Sequence, residues 1–340
     1  MTETSLSLNF QTIQEFHPGV KLQTLFNSKW PAYQSWFLKQ GEAERPSYTV
    51  CRRMLRRYMP ELTPTYDRLI ELAVGGDHAA RFLALYCPPP VILGCSQAAW
   101  TRDRVALIRN YDYPPSLCEG VMLHSAWQGT EVIAMTDCLW GVLDGMNNQG
   151  LAVSLAFGGR QAVGKGFAVT LILRYLLETC TSVRQAVAVL KRVPVNMAYN
   201  IGLVDRSGAA STVYIGPDRR PEVLSNPFSA NRQGEGEWPE YDLFSWSALR
   251  EQVLGGVYQQ GDLRFSSLLR TFLRPPLYRT CYQLGWGTVY TSAYYPESGR
   301  VECRWPDATV TQSFSDFQEL TFSRHYVPAP ELPVMAILDK

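Results

Sequence analysis

Two kinds of apolar segment alternate along this chain: short ones bounded by turn residues, and longer ones that are apolar on nearly every side. The short ones predict strands. Residues 95–101 and 104–110, rich in Trp, Val, Leu and Ile, predict a β-hairpin across the polar turn Thr101-Arg102-Asp103-Arg104. Further strands are expected at 121–127, 131–137 and 151–157, the last entered through the turn Met146-Asn147-Asn148-Gln149-Gly150. Residues 167–179 predict a helix that must be covered on both sides, and Ser182 caps a second helix through Leu190 that stops before Pro194. Strands resume at about 199–205, 210–215 and 222–225, followed by helices at about 240–254 and 262–273. A hairpin of 288–295 with 300–304 closes the pattern. That order suits a layered α+β sandwich with a multistranded antiparallel sheet.

Ahead of the first hairpin the pattern changes. Residues 1–45 are mixed, with Trp30, Pro31 and Trp36 as anchors, and helices are expected at about 46–58 and 62–86. The second begins at Thr63-Pro64, a cap and first-turn proline, and is interrupted by Gly75-Gly76. Cys87-Pro88-Pro89-Pro90 cannot lie inside a helix, and the apolar run Val91-Ile92-Leu93 leads from it to Gly94. The expected division is a helical segment over 1–94 and a separate domain over 95–340.

Composition narrows the function classes. With 340 residues and 46% hydrophobic content the chain can bury a large core. A formal charge of +1 without a sustained basic run argues against nucleic acid as the partner. Arg52, Arg53, Arg56 and Arg57 are spaced as a solvated helix face. No cationic start followed by an apolar run marks a secretory signal. The most apolar stretch, 167–177, is short and carries Arg174, so no membrane span or membrane partner is expected. Eight cysteines without a CxxC pair or zinc-like spacing point to free thiols in a reducing cytoplasm, with no metal and no cofactor.

The candidate chemistry lies in the first hairpin. A tight turn would place Cys95 opposite Asn110 or Tyr111, at a strand spacing of roughly 5 Å, with Arg109 and Asp112 flanking the thiol. Positions 109 and 112 have opposite parity, so both reach Cys95 only if the strand bends or bulges at about Asn110. The plain alternative is an inert buried thiol beside an ordinary surface ion pair. Gly94 favours chemistry, because cleavage before Cys95 would leave a thiol and an α-amine on one residue. An α-amine has a pKa of roughly 7.7 to 8, suited to a general base. Glycine also leaves its own carbonyl open to thiol attack and tolerates strained backbone angles.

Gly94-Cys95-Ser96 followed by Arg109-Asn110-Tyr111-Asp112 resembles the opening of the thiol-dependent N-terminal-nucleophile (Ntn) hydrolases. The resemblance is to the isopenicillin-N acyltransferase (acyl-coenzyme A:6-aminopenicillanic acid acyltransferase) family and, more distantly, to the choloylglycine hydrolases. It continues at 145–151, 174–178, 200–208 and 224–228, and so covers most of 60–310. It implies a four-layer αββα sandwich of two antiparallel sheets, preceded by a helical pro-segment. It also implies self-cleavage between Gly94 and Cys95, with the 1–94 chain held afterwards by its packing. Cys95 would attack the carbonyl of a small acyl amide or acyl thioester, and water or a second amine would resolve the acyl-enzyme. Arg109 would lower the thiol pKa and hold substrate, and Asp112 would orient the ammonium or thiol. The resemblance makes Asn226 the side-chain oxyanion donor and the backbone N–H near Phe157 a second one; taken alone, Asn226 reads as a turn residue before Pro227. A later site arginine is matched by Arg250 or by Arg279, with Arg250 preferred. No Asn stands near Phe157 and Tyr214 replaces the usual acid, which takes support from a bile-salt substrate; nothing in the residues supports a β-lactam.

Three other readings compete. Gly159 to Lys165 follows a strand and precedes a helix as a phosphate loop does, but Gly166 stands where Ser or Thr would hold magnesium. A flexible loop over the site is the preferred expectation for 159–166. A Cys-His protease lacks a motif around His17, His78, His124 or His325. An inactive scaffold of the same fold that binds a small acyl or amide ligand is the non-enzyme alternative.

Overall fold

The computed structural model describes residues 6–92, 94–234 and 237–328. The chain opens with a strand, β1 (Leu6–Gln14), where Leu6, Leu8, Phe10 and Thr12 alternate with more exposed neighbours. That period of two is a strand signature inside the stretch read as mixed, so the 1–94 segment expected to be helical also contains a strand. Helices follow: α1 (Val20–Phe37), α2 (Tyr48–Tyr58), α3 (Thr63–Leu72) and α4 (Gly76–Leu83). The Ser47 hydroxyl accepts from the N–H of Val50 and caps α2. Pro64 sits in the first turn of α3, and Gly75, at φ 114°, splits α3 from α4 as expected. Phe82 on α4 packs among Trp30, Tyr33, Trp36 and Phe37 of α1, and the Trp140 indole donates to the Leu83 carbonyl at 3.0 Å.

The remainder carries the sandwich. Strands β2 (Gly94–Trp100) and β3 (Ala106–Tyr113) form the predicted hairpin. Next come β4 (Val121–Ser125), β5 (Val132–Asp137), β6 (Gly141–Asn147) and β7 (Leu151–Phe157). Helices α5 (Val169–Thr179) and α6 (Val183–Leu190) precede β8 (Tyr199–Asp205), β9 (Ala210–Gly216), β10 (Arg219–Leu224) and β11 (Phe228–Ser229). The helix expected over 240–254 is two, α7 (Pro239–Ser245) and α8 (Ser247–Gln259), because Trp246 between them adopts a left-handed φ of 55°. After α9 (Phe265–Phe272) come β12 (Gly287–Tyr295), β13 (Arg300–Trp305), β14 (Ala308–Ser313) and β15 (Thr321–Tyr326).

Two sheets result, with strand orders β10-β9-β8-β7-β6-β5-β4-β1-β15 and β11-β2-β3-β12-β13-β14. Every pairing is antiparallel except β1 with β4, which run parallel. Helices α5 and α6 cover the outer face of the first sheet, α8 and α9 that of the second, and β2 and β3 pack across the interface on β7 and β8. The fold is thus the four-layer α+β sandwich, helix–sheet–sheet–helix. Among the described residues no helix is long and apolar enough to cross a membrane.

Strand β1 lies between β4 and β15, so the N-terminal segment supplies an interior strand of the larger sheet. Its ladder hydrogen bonds and the buried Phe10, stacked on Phe322 and edge-on to Trp305, tie that segment to the sandwich.

Candidate active site

Hairpin register decides which side chains meet. Gly94 pairs with Asp112, Cys95 with Tyr111, Ser96 with Asn110 and Gln97 with Arg109. The expected bend at Asn110 is absent: β3 runs without a register shift against β2. A bulge falls instead on β12, between Thr288 and Tyr290, opposite Asp112 and Tyr111. Opposite parity therefore stands, and Arg109 and Asp112 point to opposite faces of the sheet.

The inner face carries the sulfur. Cys95 is fully buried, and its Sγ accepts from Arg109 Nη2 at 3.0 Å. Arg109, also fully buried, donates through Nε to the Leu155 carbonyl at 2.8 Å and through Nη1 to Asp144 Oδ2 at 2.5 Å. Next along β2, Gln97 donates to the Asn200 carbonyl and the Ser229 hydroxyl, each at 2.9 Å, and accepts from Ser154 at 2.6 Å. A satisfied buried network of this kind ties β2 to both sheets and fixes the strand that presents Cys95.

The outer face carries a second charged set. Arg250 of α8, buried, donates through Nη1 to Asp112 Oδ2 at 2.6 Å and to Ser96 Oγ at 2.9 Å. Thr288 donates to Asp112 Oδ1 at 2.7 Å. The sets meet at the backbone nitrogen of Cys95, which donates to Asn231 Oδ1 at 2.8 Å. Asn231 Oδ1 also accepts from Arg250 Nη2 at 2.9 Å, and Nδ2 donates to the Phe157 carbonyl at 3.0 Å. Two donors on one side and an acceptor on the other fix this amide's orientation, since a flipped amide would face N–H to N–H. Gly94 is required by packing: a Cβ there would lie 2.8 Å from Trp286 Cζ2 and 3.0 Å from Asp112 Cβ.

Burial pushes the Cys95 thiol pKa up to about 11, against the downward pull of Arg109 and with an upward push from Asp112. Arg109 lowers the thiol pKa by its charge and its hydrogen bond, in the expected direction, but desolvation of the thiolate outweighs it. With its pKa raised, Cys95 is a protonated thiol near neutral pH. No histidine shares this cluster among the described residues; His124, for one, is bound to Gln14 and Glu131.

Other expected residues are distributed unevenly. Asn226 does not join the thiol: partly buried, its Nδ2 donates to the Phe228 carbonyl at 3.0 Å, two residues on. The register of β11 on β2 sets Phe228 beside Ala98 and Ser229 beside Gln97, so it is Asn231 that arrives at Cys95. Phe157 contributes its carbonyl to Asn231 and its ring to the edge of Tyr241. Of the two later arginines, Arg250 reaches the cluster. Arg279 lies a step away, its backbone N–H on Thr288 Oγ1 and its guanidinium over Trp246. The 159–166 segment is no phosphate cradle: Arg160 is paired with Asp218 and Glu237, and Gly164 and Gly166 pack against Pro217 and Val195. Leu93, the last residue of the run before Gly94, lies outside the described residues.

Sequence reasoning missed Asn231, Asp144 and Thr288. Asp144 had a signal, since it is the lone charge in the apolar strand Gly-Val-Leu-Asp-Gly-Met-Asn. Asn231 and Thr288 look like any loop or strand polar residue until the tertiary contacts are known.

Residues 100–232 match the model of a family described as acyl-coenzyme A:6-aminopenicillanic acid acyl-transferase. The match bears out the family resemblance of the sequence motifs; it begins beyond Cys95 and ends before Arg250. No curated protein matches the chain. Solved structures similar to it include a conjugated bile acid hydrolase from Clostridium perfringens, at 13% identity and TM-score 0.46, covering 70% of this chain and 99% of that one. Penicillin V acylase from Agrobacterium tumefaciens is similar at 12% and 0.43, covering 65% and 86%. The Caenorhabditis elegans ortholog of N-acylethanolamine-hydrolyzing acid amidase is similar at 16% and 0.44, covering 67% and 98%. Scores this low leave the fold to be read from the chain's own sheets and helices.

Proposed function

With the acyltransferase-family likeness of residues 100–232 as premise, we propose that this chain is a hydrolase or acyltransferase acting on amide bonds, with Cys95 as its nucleophile. One observation carries the assignment: the sulfur and the nitrogen of Cys95 are held by two different sets of buried groups, Arg109 on one and Asn231 with Arg250 behind it on the other. An inert buried cysteine requires neither.

Maturation would begin with attack of Cys95 Sγ on the Gly94 carbonyl carbon. The thiol proton passes to the departing nitrogen, the peptide C–N bond breaks and a thioester forms. Water then hydrolyses the thioester to the Gly94 carboxylate and a free Cys95 thiol and α-amine. In turnover the α-amine takes the thiol proton as Sγ attacks the substrate carbonyl, and the leaving amine receives that proton when the C–N bond breaks. Water or a second amine resolves the acyl-enzyme. Asn231 Oδ1 would aim the amine, and Asp112, paired with Gly94 across the hairpin and bound to Arg250, would orient the ammonium. Arg250 Nε, buried with no hydrogen-bond partner among the described residues, would be free to donate to the oxyanion.

The test joins maturation to turnover. Intact mass and N-terminal sequencing should show a chain beginning at Cys95, and that protein should hydrolyse N-acyl amides with an acyl adduct on Cys95. Cys95→Ala should lose both. Turnover retained in the alanine variant would reject the nucleophile, and an uncleaved chain inactive toward every amide would mark a binding scaffold.

A further inference from the structure

Arg109 is bound at three points, and nothing in the maturation scheme explains the third. Its Nε is taken by Leu155, its Nη2 by the Cys95 sulfur and its Nη1 by Asp144, with the Tyr290 hydroxyl also 3.2 Å from Nη1. Asp144 belongs to β6 in the nine-stranded sheet, and Arg109 to β3 in the six-stranded one, so the pair spans the buried interface between sheets. The carboxylate is itself fixed: Tyr290 donates to Oδ2 at 2.8 Å and Tyr294 to Oδ1 at 2.7 Å. Burial, and then the nearby Asp144 charge, push the pKa of both tyrosines up, so both remain donors.

We propose that Asp144, clamped by Tyr290 and Tyr294, is a positioning residue for the Cys95 thiol: it fixes Arg109 with one terminal nitrogen on the sulfur and takes up the charge of that guanidinium. The inference rests on the reading of Cys95 as nucleophile. A buried guanidinium without a counter-charge would stabilise the thiolate strongly, because Coulomb attraction is little screened in the interior. Beside Asp144 the sulfur meets a near-neutral ion pair and stays protonated. Attack on the Gly94 carbonyl then starts from the thiol, and the α-amine released by that cleavage becomes the base for turnover.

A thiol titration tests this without turnover. Full-length protein carrying 13Cβ-labelled cysteine gives a Cys95 resonance, identified by its loss in Cys95→Ala, whose shift follows ionisation. Proteins are compared in the same processing state, read by intact mass. Asp144→Asn should move the Cys95 midpoint down by about one pH unit, roughly tenfold more thiolate at a given lower pH, and Asp144→Glu should return it toward wild type. Should the asparagine variant not fold, the pair Tyr290→Phe with Tyr294→Phe keeps both charges. There the midpoint should rise, since a carboxylate stripped of two donors draws more of the Arg109 charge away from sulfur. A folded Asp144→Asn protein with the wild-type midpoint, or a tyrosine pair with no shift, would overturn the role. An inactive wild type that titrates as described would count against the proposed function and not against this coupling.

Discussion

Two buried clusters of ionisable groups in this molecule solve the same electrostatic problem differently. Around Cys95 each carboxylate faces a guanidinium, Asp144 with Arg109 and Asp112 with Arg250. At the edge of a cavity of about 270 Å³ between α1 and the β5 end, Glu119 and Asp137 share the Tyr33 hydroxyl, and neither forms an ion pair among the described residues. Burial, then the Glu119 charge, lifts the Asp137 pKa to about 7, and burial likewise raises that of Glu119. A carboxylate with a guanidinium beside it can stay charged when buried, whereas two without one are driven toward sharing a proton. The first cluster pairs its charges; the second holds a pH dependence.

The strongest challenge to that contrast is at Asn231, where the charged set meets the Cys95 nitrogen. Asn231→Ala should cost on the order of a hundredfold in kcat with folding intact, the effect of a disoriented general base. Asn226→Ala, on the far side of Ser229, should leave turnover unchanged; the reverse pattern would return the site to the residue the sequence motif favoured. A smaller effect is expected at Gly94. Gly94→Ala forces a methyl against Trp286 and Asp112 and should slow maturation about tenfold, a barrier change of roughly 1.4 kcal/mol. Trp286→Ala should restore most of that rate, and no rescue would mean that the indole is not what demands glycine. The mildest change is at Asp137. Its folded pKa is above the ordinary value, so its contribution to stability is complete below about pH 4 and lost as pH rises through about 7. Tm should therefore fall between about pH 5 and pH 8, and Asp137→Asn, neutral throughout, should shrink that fall. An unchanged pH slope would erase the difference between the clusters.

Local sequence reached far into this fold. The hairpin around Thr101 to Arg104, the helix pair after residue 167 and the closing hairpin at Pro296 to Gly299 are written in apolar runs and turn residues, which act over a few neighbours. Strand β1 carried an alternating signal that its mixed surroundings hid, while most of β6, all buried, carried no assignment and only its last two residues fell in the expected turn.

Of the site, the sequence by itself determined what lies on one strand pair: Cys95, Gly94, Arg109 and Asp112, with a pairing that covalent geometry and the turn fix to within a residue. Which faces those side chains take, and what they touch, was decided only in three dimensions. The bulge that was expected on β3 lies on β12; Asn231 and not Asn226 meets the Cys95 nitrogen; and Asp144 crosses from the other sheet to Arg109. The physical reason is range. Turn chemistry and side-chain alternation act between residues near one another in the chain, whereas burial of a charge is decided by partners that only the packing of two sheets and a helix brings within 3 Å.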